Sequence, residues 1–296
     1  MYLVAGATGH LGLEICRRLA ERGQPLRALV RASSDGGAVD RLRDLGAEIV
    51  VGDLRDPSSL DPASTGVTTV ITTVNSITSR QEGDSLEATD LRGQRNLIEA
   101  AERAGVGHFV YVSFSGNIDG ADALTAAKRG TEERLQRSSM IWTILRPGVF
   151  MEVWLTPMLG FDFPSAKATI YGSGEQKVSW ISLADVAEFA VVAATDPSAR
   201  NALIELGGPE ALSPHEVVRV FEEESGRQFQ LEHVPAEALK AKAKSAHDEY
   251  EKTFATLMAC VAKGDPIPMD TTLRKFPIRM TSVRDYARRV SGSGGA

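Results

Sequence analysis

Three glycines near the start of the chain, Gly6, Gly9 and Gly12, have the spacing of a phosphate-binding turn. They follow the strand-like residues 2–5 and open an amphipathic, helix-like segment. In such a turn the first glycine permits the bend, the second lets a ligand approach the backbone, and the third lets helix and strand pack closely. Unpaired N–H groups at the helix start would hold a pyrophosphate. Unless this is an ordinary glycine-rich turn, it predicts a dinucleotide site at Gly6, Thr8, Gly9, His10, Leu11 and Gly12.

The residues about 20 positions beyond this turn bear on which dinucleotide is bound. NAD-specific sites carry an acid there, which bonds the ribose 2′-hydroxyl. This chain has Arg31, Ser33 and Ser34 instead. A guanidinium fork suits a phosphate, and the two hydroxyls can add hydrogen bonds. We therefore expect NADP as cofactor in preference to NAD; the alternative is that Arg31 is a solvated surface residue.

Two further strand ends are expected to line the cofactor. Asp53 and Leu54 end the third predicted strand, where Asp53 would accept from the adenine amine and Leu54 would pack beside the ring. Alternatively, Asp53 caps the helix that starts near residue 57. Thr73, Val74 and Asn75 end the fourth predicted strand, at the edge where an open sheet forms its ligand crevice.

Alternating strands and helices are needed to position these residues. Short β-branched runs alternate with segments of helical periodicity over the first 150 residues, which is typical of βαβ units and a parallel sheet. Helices are predicted at 11–22 and 96–104. Strands are predicted near 2–5, 26–30, 47–51, 67–73, 108–113 and 141–146. The fold class is therefore α/β, with a doubly wound parallel Rossmann sheet.

The pattern changes after Pro147 and predicts a smaller α+β region. Its predicted elements are strands at 168–171, 178–181 and 203–206 and helices near 183–195, 214–225, 236–260 and 282–290. We expect a dinucleotide-binding domain at 1–150 and a substrate-binding or lid region, interleaved with the sheet, at 151–290. The low-complexity residues 291–296 are expected to be a flexible tail.

The composition excludes several classes of protein. A net charge of -6, with scattered Lys and Arg, disfavours nucleic acid as a partner. The two cysteines and five histidines are dispersed, so no metal site is expected, and Cys16 should pack as a small hydrophobe in the first helix. No apolar run reaches the length of a membrane span, and no signal peptide precedes the first strand. We expect a cytoplasmic protein without membrane contact, as a monomer or homodimer.

Several motifs together resemble the atypical short-chain dehydrogenase/reductase superfamily, and in particular its NmrA-like and isoflavone-reductase-like branch. They are Gly6-x-x-Gly9-x-x-Gly12, Val30-Arg31, Gly52-Asp53-Leu54, Asn96-Leu-Ile-Glu-Ala-Ala101, Phe109-Val-Tyr-Val-Ser113 and Leu145-Arg-Pro-Gly-Val-Phe150. The resemblance covers about residues 1–225. It implies a doubly wound sheet, an NAD(P) cofactor and a C-terminal substrate region, and says much less about the substrate.

The resemblance also identifies Lys128 as the leading catalytic candidate. Many superfamily members use a Tyr-x-x-x-Lys pair, whereas here Leu124 stands four residues before Lys128. Without the tyrosine another group must supply the proton, or the chemistry differs. A lone lysine at this place resembles the catalytic residue of the isoflavone-reductase-like branch, and a helix is expected after it. Lys128 then either exchanges a proton or only binds the nicotinamide ribose.

The resemblance places a few more residues near the nicotinamide. Ser113 and Ser115 occupy the place of the superfamily's active-site serine, and Ser115 matches better by position. Either serine can instead satisfy loop backbone. Pro147, Gly148 and Val149 resemble the loop that lies against the nicotinamide carboxamide.

Two functions of different classes follow from these residues. The first is an NADP-dependent oxidoreductase that reduces a carbonyl or an activated double bond of a small, fairly apolar molecule. The second is a catalytically silent NADP-binding redox sensor of the NmrA-like type, which the absence of the tyrosine supports. An epimerase or dehydratase is disfavoured by the same absence.

Overall fold

The computed structural model describes residues 1–77 and 81–292. The strands are β1 (Tyr2–Ala5), β2 (Leu26–Val30), β3 (Glu48–Val51), β4 (Thr69–Thr72), β5 (His108–Val112), β6 (Ile141–Pro147), β7 (Val149–Phe150), β8 (Phe161–Asp162), β9 (Lys167–Tyr171), β10 (Val178–Ile181), β11 (Ala202–Leu206), β12 (Ala211–Leu212) and β13 (Gln230–Val234). The helices are α1 (His10–Glu21), α2 (Gly36–Asp44), α3 (Pro57–Ser64), α4 (Gln94–Arg103), α5 (Ala123–Gln136), α6 (Met151–Trp154), α7 (Leu183–Thr195), α8 (Pro214–Ser225), α9 (Ala236–Ser245), α10 (Glu249–Val261), α11 (Asp270–Lys275) and α12 (Val283–Gly292). A π-helical segment, Leu86–Gly93, runs directly into α4.

The central sheet has seven strands in the order β3-β2-β1-β4-β5-β6-β11. The strands from β3 to β6 pair with their neighbours in parallel. The chain moves outward from β1 to β3 and then crosses back to β4, so the strand order reverses between β1 and β4. Open sheets of this kind bind ligands at the carboxyl ends of the strands beside that reversal. The predicted doubly wound Rossmann sheet is confirmed.

Burial explains why these segments form central strands. Every residue of β4 and β5 is buried, as expected for parallel strands covered by helices on both faces. Helix α1 packs through Ile15, Cys16 and Leu19, which are fully buried. Burial raises the pKa of the Cys16 thiol to about 12, so this side chain is an apolar packing group, as predicted.

The chain divides into two compact units, each built from several segments. The first comprises Met1–Ser113, Ala123–Arg146 and Val186–Ile204, and the second Phe114–Asp122, Pro147–Asp185 and Glu205–Ala296. The division after Arg146 lies close to the expected boundary at 150. The two units alternate along the chain, since 114–122 group with the second unit and 186–204 with the first.

The second unit contains two small sheets, β12-β10-β7 and β13-β9-β8. Its core includes Phe161, Trp180 and Phe221, with the rings of Phe161 and Phe221 edge to face at 4.7 Å. The helix-rich stretch at 236–260 is two helices, because Asp248 caps a new one by accepting from the Glu251 N–H at 2.8 Å.

The expected flexible tail, 291–296, lies mostly outside the described residues. Helix α12 continues through Ser291 to Gly292, and residues 293–296 lie outside the described residues. In the described part of the chain, no helix combines the length and apolarity needed to cross a bilayer.

Candidate functional site

The glycine turn joins β1 to α1, and each of its glycines meets a different environment. Gly6 has a φ of +81°, which favours glycine, and a Cβ there would lie 2.7 Å from the Thr73 hydroxyl. A Cβ on Gly12 would lie 2.1 Å from the Gly6 carbonyl oxygen. A Cβ on Gly9 would meet only that oxygen, at 3.4 Å, among the described residues. Gly6 and Gly12 therefore serve packing, whereas Gly9 leaves its outer face open.

The start of α1 fits a phosphate. Gly9 precedes the helix, and no side chain of the described residues caps it. The first turn carries no acid, and His10 is exposed while Thr8 and Leu11 are half-buried. Backbone N–H groups and the helix dipole therefore present a positive end to an anion. The residues present fit the pyrophosphate that the sequence predicts there.

The end of β4 lies against this turn. The Thr73 N–H donates to the Ala5 carbonyl at 3.0 Å, which holds the strand end beside Gly6. The Gln94 side chain donates to the Val74 carbonyl at 3.1 Å and accepts from Thr72 at 3.2 Å. Thr73, Val74 and Asn75 therefore sit at the strand-order reversal, beside the glycine turn, as the sequence predicts for this edge.

Arg31 follows β2 and is held by an acid that sequence reasoning missed. Its Nη1 lies 2.9 and 3.0 Å from the two carboxylate oxygens of Asp84. The Asp84 side chain is only 1% exposed, against 23% for Arg31. Ser34 accepts from the Arg31 N–H at 3.0 Å, and Ser33 donates to Gln81 at 2.5 Å. Arg31 is thus held in an ion pair with Asp84, whereas the alternative interpretation expected a solvated surface arginine.

Asp53 and Leu54 follow β3. Asp53 binds Arg55 through its carboxylate, at 2.6 Å to Nη2, and this hydrogen bond, opposed by burial, holds the pKa of Asp53 below its usual value. The alternative role of Asp53 as a helix cap is wrong, because Asp56 caps α3 by accepting from the Ser58 N–H at 3.0 Å. Leu54 is buried in the core of the first unit.

Lys128 lies in the middle of α5. The expectation that the helix begins only after Lys128 is therefore wrong. It is 5% exposed, its Nζ donates to the Val112 carbonyl at 3.3 Å, and it lies 5.2 Å from the centre of the Tyr111 ring. Burial lowers the pKa of Lys128, and the charges of Asp90 and Glu132 oppose that shift. A lysine in this setting can exchange a proton nearer to neutrality than a solvated one.

Asp90 is a second acid that sequence reasoning missed. It lies in the π-helical segment, 1% exposed, and accepts from the Ser76 hydroxyl at 2.5 Å and the Ser76 N–H at 3.0 Å through Oδ2. Its Oδ1 has no hydrogen-bond partner among the described residues. Burial raises the pKa of Asp90, and the nearby positive charge of Lys128 opposes the shift.

Ser113 ends up in an ion cluster. Its hydroxyl donates to Glu132, which also receives Arg129 at 2.8 Å and Arg146 at 2.5 Å. Burial opposes the ionisation of Glu132, but the hydrogen bonds from Arg146 and Ser113 leave its pKa below the usual value. The Ser113 hydroxyl therefore serves as a hydrogen-bond donor to Glu132 within the first unit.

The remaining candidates lie in the second unit, around a buried acid. Ser115 donates to Asp265 Oδ1 at 2.7 Å, and Asn117 donates to the same oxygen at 2.9 Å. The Pro147 carbonyl accepts from the Ser115 N–H at 2.8 Å. Gly148 packs so tightly that a Cβ would lie 2.9 Å from the Ser179 carbonyl oxygen. Ser115 is thus tied to the chain segment that carries Pro147, Gly148 and Val149.

No motif of the sequence singles out the partner acids Asp84, Asp90, Glu132 and Asp265. Each follows a loop or lies on a helix whose register the motifs do not fix. The nearest available signal is that 81–90 carry several acids directly after the fourth strand, close to the predicted ligand edge.

An apolar cavity lies within the second unit. Trp154, Phe161 and Trp180 are among its walls, and its volume is about 50 Å³. That volume holds a few water molecules but not an aromatic molecule. In the described chain this cavity is therefore no ready-made site for a ring-sized ligand.

Comparison with known proteins matches residues 2–277 to the family model described as the NmrA-like family. The chain is 34% identical over 228 residues to an NAD(P)H azoreductase of Xenophilus azovorans, covering 77% of this chain and 74% of that protein. It is 28% identical to an isoflavone reductase homolog of Zea mays, with 97% of both chains covered. A solved NADPH-dependent quinone oxidoreductase from Escherichia coli, complexed with NADPH, has the same fold, with a TM-score of 0.79, 22% identity and coverage of 98% of this chain and 99% of that one.

Proposed function

This chain belongs to the NmrA-like family, and from that premise we propose that it binds NADPH and reduces a small, fairly apolar molecule. The observation that carries the proposal is the uncapped start of α1 behind Gly9, whose outer face is open to a ligand. Relatives named as an NAD(P)H azoreductase and an isoflavone reductase homolog support a reductase. The residues held at the ends of β1, β2 and β4 would bind the cofactor.

The cofactor end of the site is assigned to named residues. Backbone N–H groups of 10–12 would hold the pyrophosphate, with Gly9 leaving room for it, because the Gly9 N–H already donates to the Gly6 carbonyl at 3.0 Å. Arg31 with Ser33 and Ser34 would contact a 2′-phosphate. Asp53 and Leu54 would lie near the adenine, and Thr73, Val74 and Asn75 would line the cofactor at the strand ends. Pro147, Gly148 and Val149 are assigned to the nicotinamide carboxamide. These assignments make NADP the preferred cofactor and NAD the weaker one.

The chemistry is assigned to Lys128. Bound NADPH supplies a hydride, and reduction of a carbonyl or an activated double bond also needs a proton. With Leu124 one helical turn earlier, Lys128 Nζ is the ionisable group of α5 that we assign to that proton. Its hydrogen bond to the Val112 carbonyl fixes the ammonium, and burial lowers its pKa toward the range of a proton donor. Ser115 is assigned to hold a substrate oxygen, and Ser113 only to support Glu132.

Turnover measurements test the proposal. Oxidation of NADPH is followed with a panel containing a quinone, an azo dye, an enone and an aldehyde, while cofactor binding is measured separately by NADPH fluorescence. We expect saturable binding and turnover of at least one member of the panel. Binding without turnover, together with a cofactor-dependent change in association with partner proteins, would replace the reductase by the redox-sensor function.

A further inference from the structure

A short turn after β4, Gln81 to Asp84, docks on the residues that follow β2 and β3. We call it the 81–84 turn. The Asp84 N–H donates to the Gln81 carbonyl at 2.9 Å, and the Gln81 N–H donates to Asp84 Oδ2 at 3.0 Å. Arg55 Nη1 donates to the Glu82 carbonyl at 2.8 Å. Gly83 has a φ of +78° and passes so close to Arg55 that a Cβ would lie 2.7 Å from Nη1.

Asp84 brings a nearly inaccessible negative charge to this place. Both of its oxygens lie within 3.0 Å of Arg31 Nη1, and Oδ1 lies 3.4 Å from Arg55 Nη1. Thr89 also donates to Oδ1, at 3.1 Å. Because the carboxylate is 1% exposed, water screens its charge poorly. Asp84 therefore binds the side chain to which the proposed function assigns the 2′-phosphate.

The two cofactors differ at the position that Asp84 affects. A 2′-phosphate needs N–H donors of Arg31 and places a second negative group near Asp84, whereas a 2′-hydroxyl brings no charge. We propose that Asp84 is a specificity-determining residue that weakens the preference of Arg31 for NADP and so keeps NAD an acceptable cofactor. This inference rests on the dinucleotide-binding part of the proposed function.

Fragments of the cofactor test this without any turnover. Calorimetric titrations with 2′,5′-ADP and 5′-ADP give the affinity ratio for the 2′-phosphate in the wild type, Asp84→Asn, Arg31→Ala and the double variant. We expect Asp84→Asn to raise the ratio about tenfold or more, with little change for 5′-ADP. The gain should be smaller when Arg31 is absent, because the released guanidinium is its main source.

Two controls separate charge from folding. Asp61→Asn removes an exposed carboxylate that pairs with Arg103 at 2.7 Å and should leave the ratio unchanged. Asp84→Ser provides a second uncharged variant, and its hydroxyl can still accept from Gln81; thermal unfolding shows which variants are folded. A ratio that stays the same or falls in the folded variants would overturn the proposal, since Asp84 would then only position Arg31. Failure of the wild type to bind either fragment would overturn the cofactor site as well, whereas fragment binding without turnover would count against the reductase alone.

Discussion

Gly9 and Gly12 share one motif, yet only one of them has room for a side chain. We predict that Gly9→Val abolishes binding of NADPH but leaves the fold intact, because its side chain fills the space outside the helix start. Gly12→Val forces a contact near 2 Å with the Gly6 carbonyl and should cost about 3 kcal/mol or more in stability. Thermal unfolding and NADPH fluorescence titration of both variants check this. Unchanged cofactor affinity in Gly9→Val would place the phosphates elsewhere.

Lys128 carries the prediction about chemistry. Lys128→Met keeps much of the aliphatic stem but removes the charge and the donors, so turnover should fall by about 10²-fold or more at saturating NADPH. Because the pKa of Lys128 is lowered, the side chain loses its proton at a lower pH than an ordinary lysine does. The wild-type rate should therefore decline with rising pH before the pH reaches the usual pKa of a lysine. Lys240→Met, in an exposed pair with Glu237, is the control. If the rate at saturation persists and only cofactor affinity drops, Lys128 binds the ribose and moves no proton.

The sequence alone identifies some residues of the candidate site and misses others. Gly6, Gly9 and Gly12 could be singled out because the spacing of their motif constrains them, whereas Lys128 was identified only through the family resemblance. Asp84 and Asp90 could not, because their contacts with Arg31 and Ser76 depend on how the chain after β4 folds back. The alternative role of Asp53 failed for a related reason, since Asp56, three positions later, has the better geometry for the cap.

Among the secondary-structure elements, helix α8 could be predicted from neighbouring residues, whereas strand β13 depends on a partner that is distant in sequence. The bounds of α8 could be predicted because residues next to each end determine them. Ser213 caps the helix, Pro214 is its first residue, and Gly226 ends it with a φ of +68°. Strand β13 could not be predicted, because most of its residues are exposed and its partner β9 is distant in sequence. The break between α9 and α10 was also missed, since a helical composition continues across it.

The cap of α8 can be tested directly. Ser213 accepts from the Glu216 N–H, and Glu216 accepts in return from the Ser213 N–H at 2.7 Å. We predict that Ser213→Ala lowers the free energy of unfolding by about 1 kcal/mol. Ser225→Ala, at the other end of the same helix, removes a hydrogen bond to the Phe221 carbonyl and a long one, at 3.4 Å, from the Arg227 N–H. Because neither bond caps the start of the helix, this variant should change stability less. Urea unfolding of both variants provides the comparison, and equal losses would contradict a specific role for the cap.

Acid stability is a property of the whole molecule, and His108 in the central sheet makes a defined contribution. Burial lowers its pKa from 6.5 to about 4, and the positive charge of Arg200 adds to the shift. The unfolded chain then binds a proton more readily than the folded one between these values. The stability from neutral His108 is fully present above pH 6.5 and is lost as the pH falls towards 4, by on the order of 3 kcal/mol in total.

His108→Gln tests this contribution, since glutamine keeps a polar partner for Thr143, which lies 2.9 Å from the His108 Nε2, but does not titrate. Unfolding by urea at several pH values should show a flatter dependence between 6.5 and 4 in the variant than in the wild type. Parallel curves in that window would mean that His108 is protonated equally in both states. The slope below about pH 4.5 should persist in both proteins, because Glu132 has a lowered pKa and loses its stabilising charge there.

The place of β11 in the central sheet also has a consequence for synthesis on the ribosome. Strand β11 lies beside β6 at the edge of the sheet, but it leaves the ribosome about 55 residues later, which takes several seconds at roughly 5 to 20 residues per second. Throughout that interval the outer edge of β6 has no native neighbour, and its unpaired N–H and C=O groups are a template for pairing with other chains. The nascent chain therefore has a period of exposure to aggregation that ends only when residues 202–206 arrive.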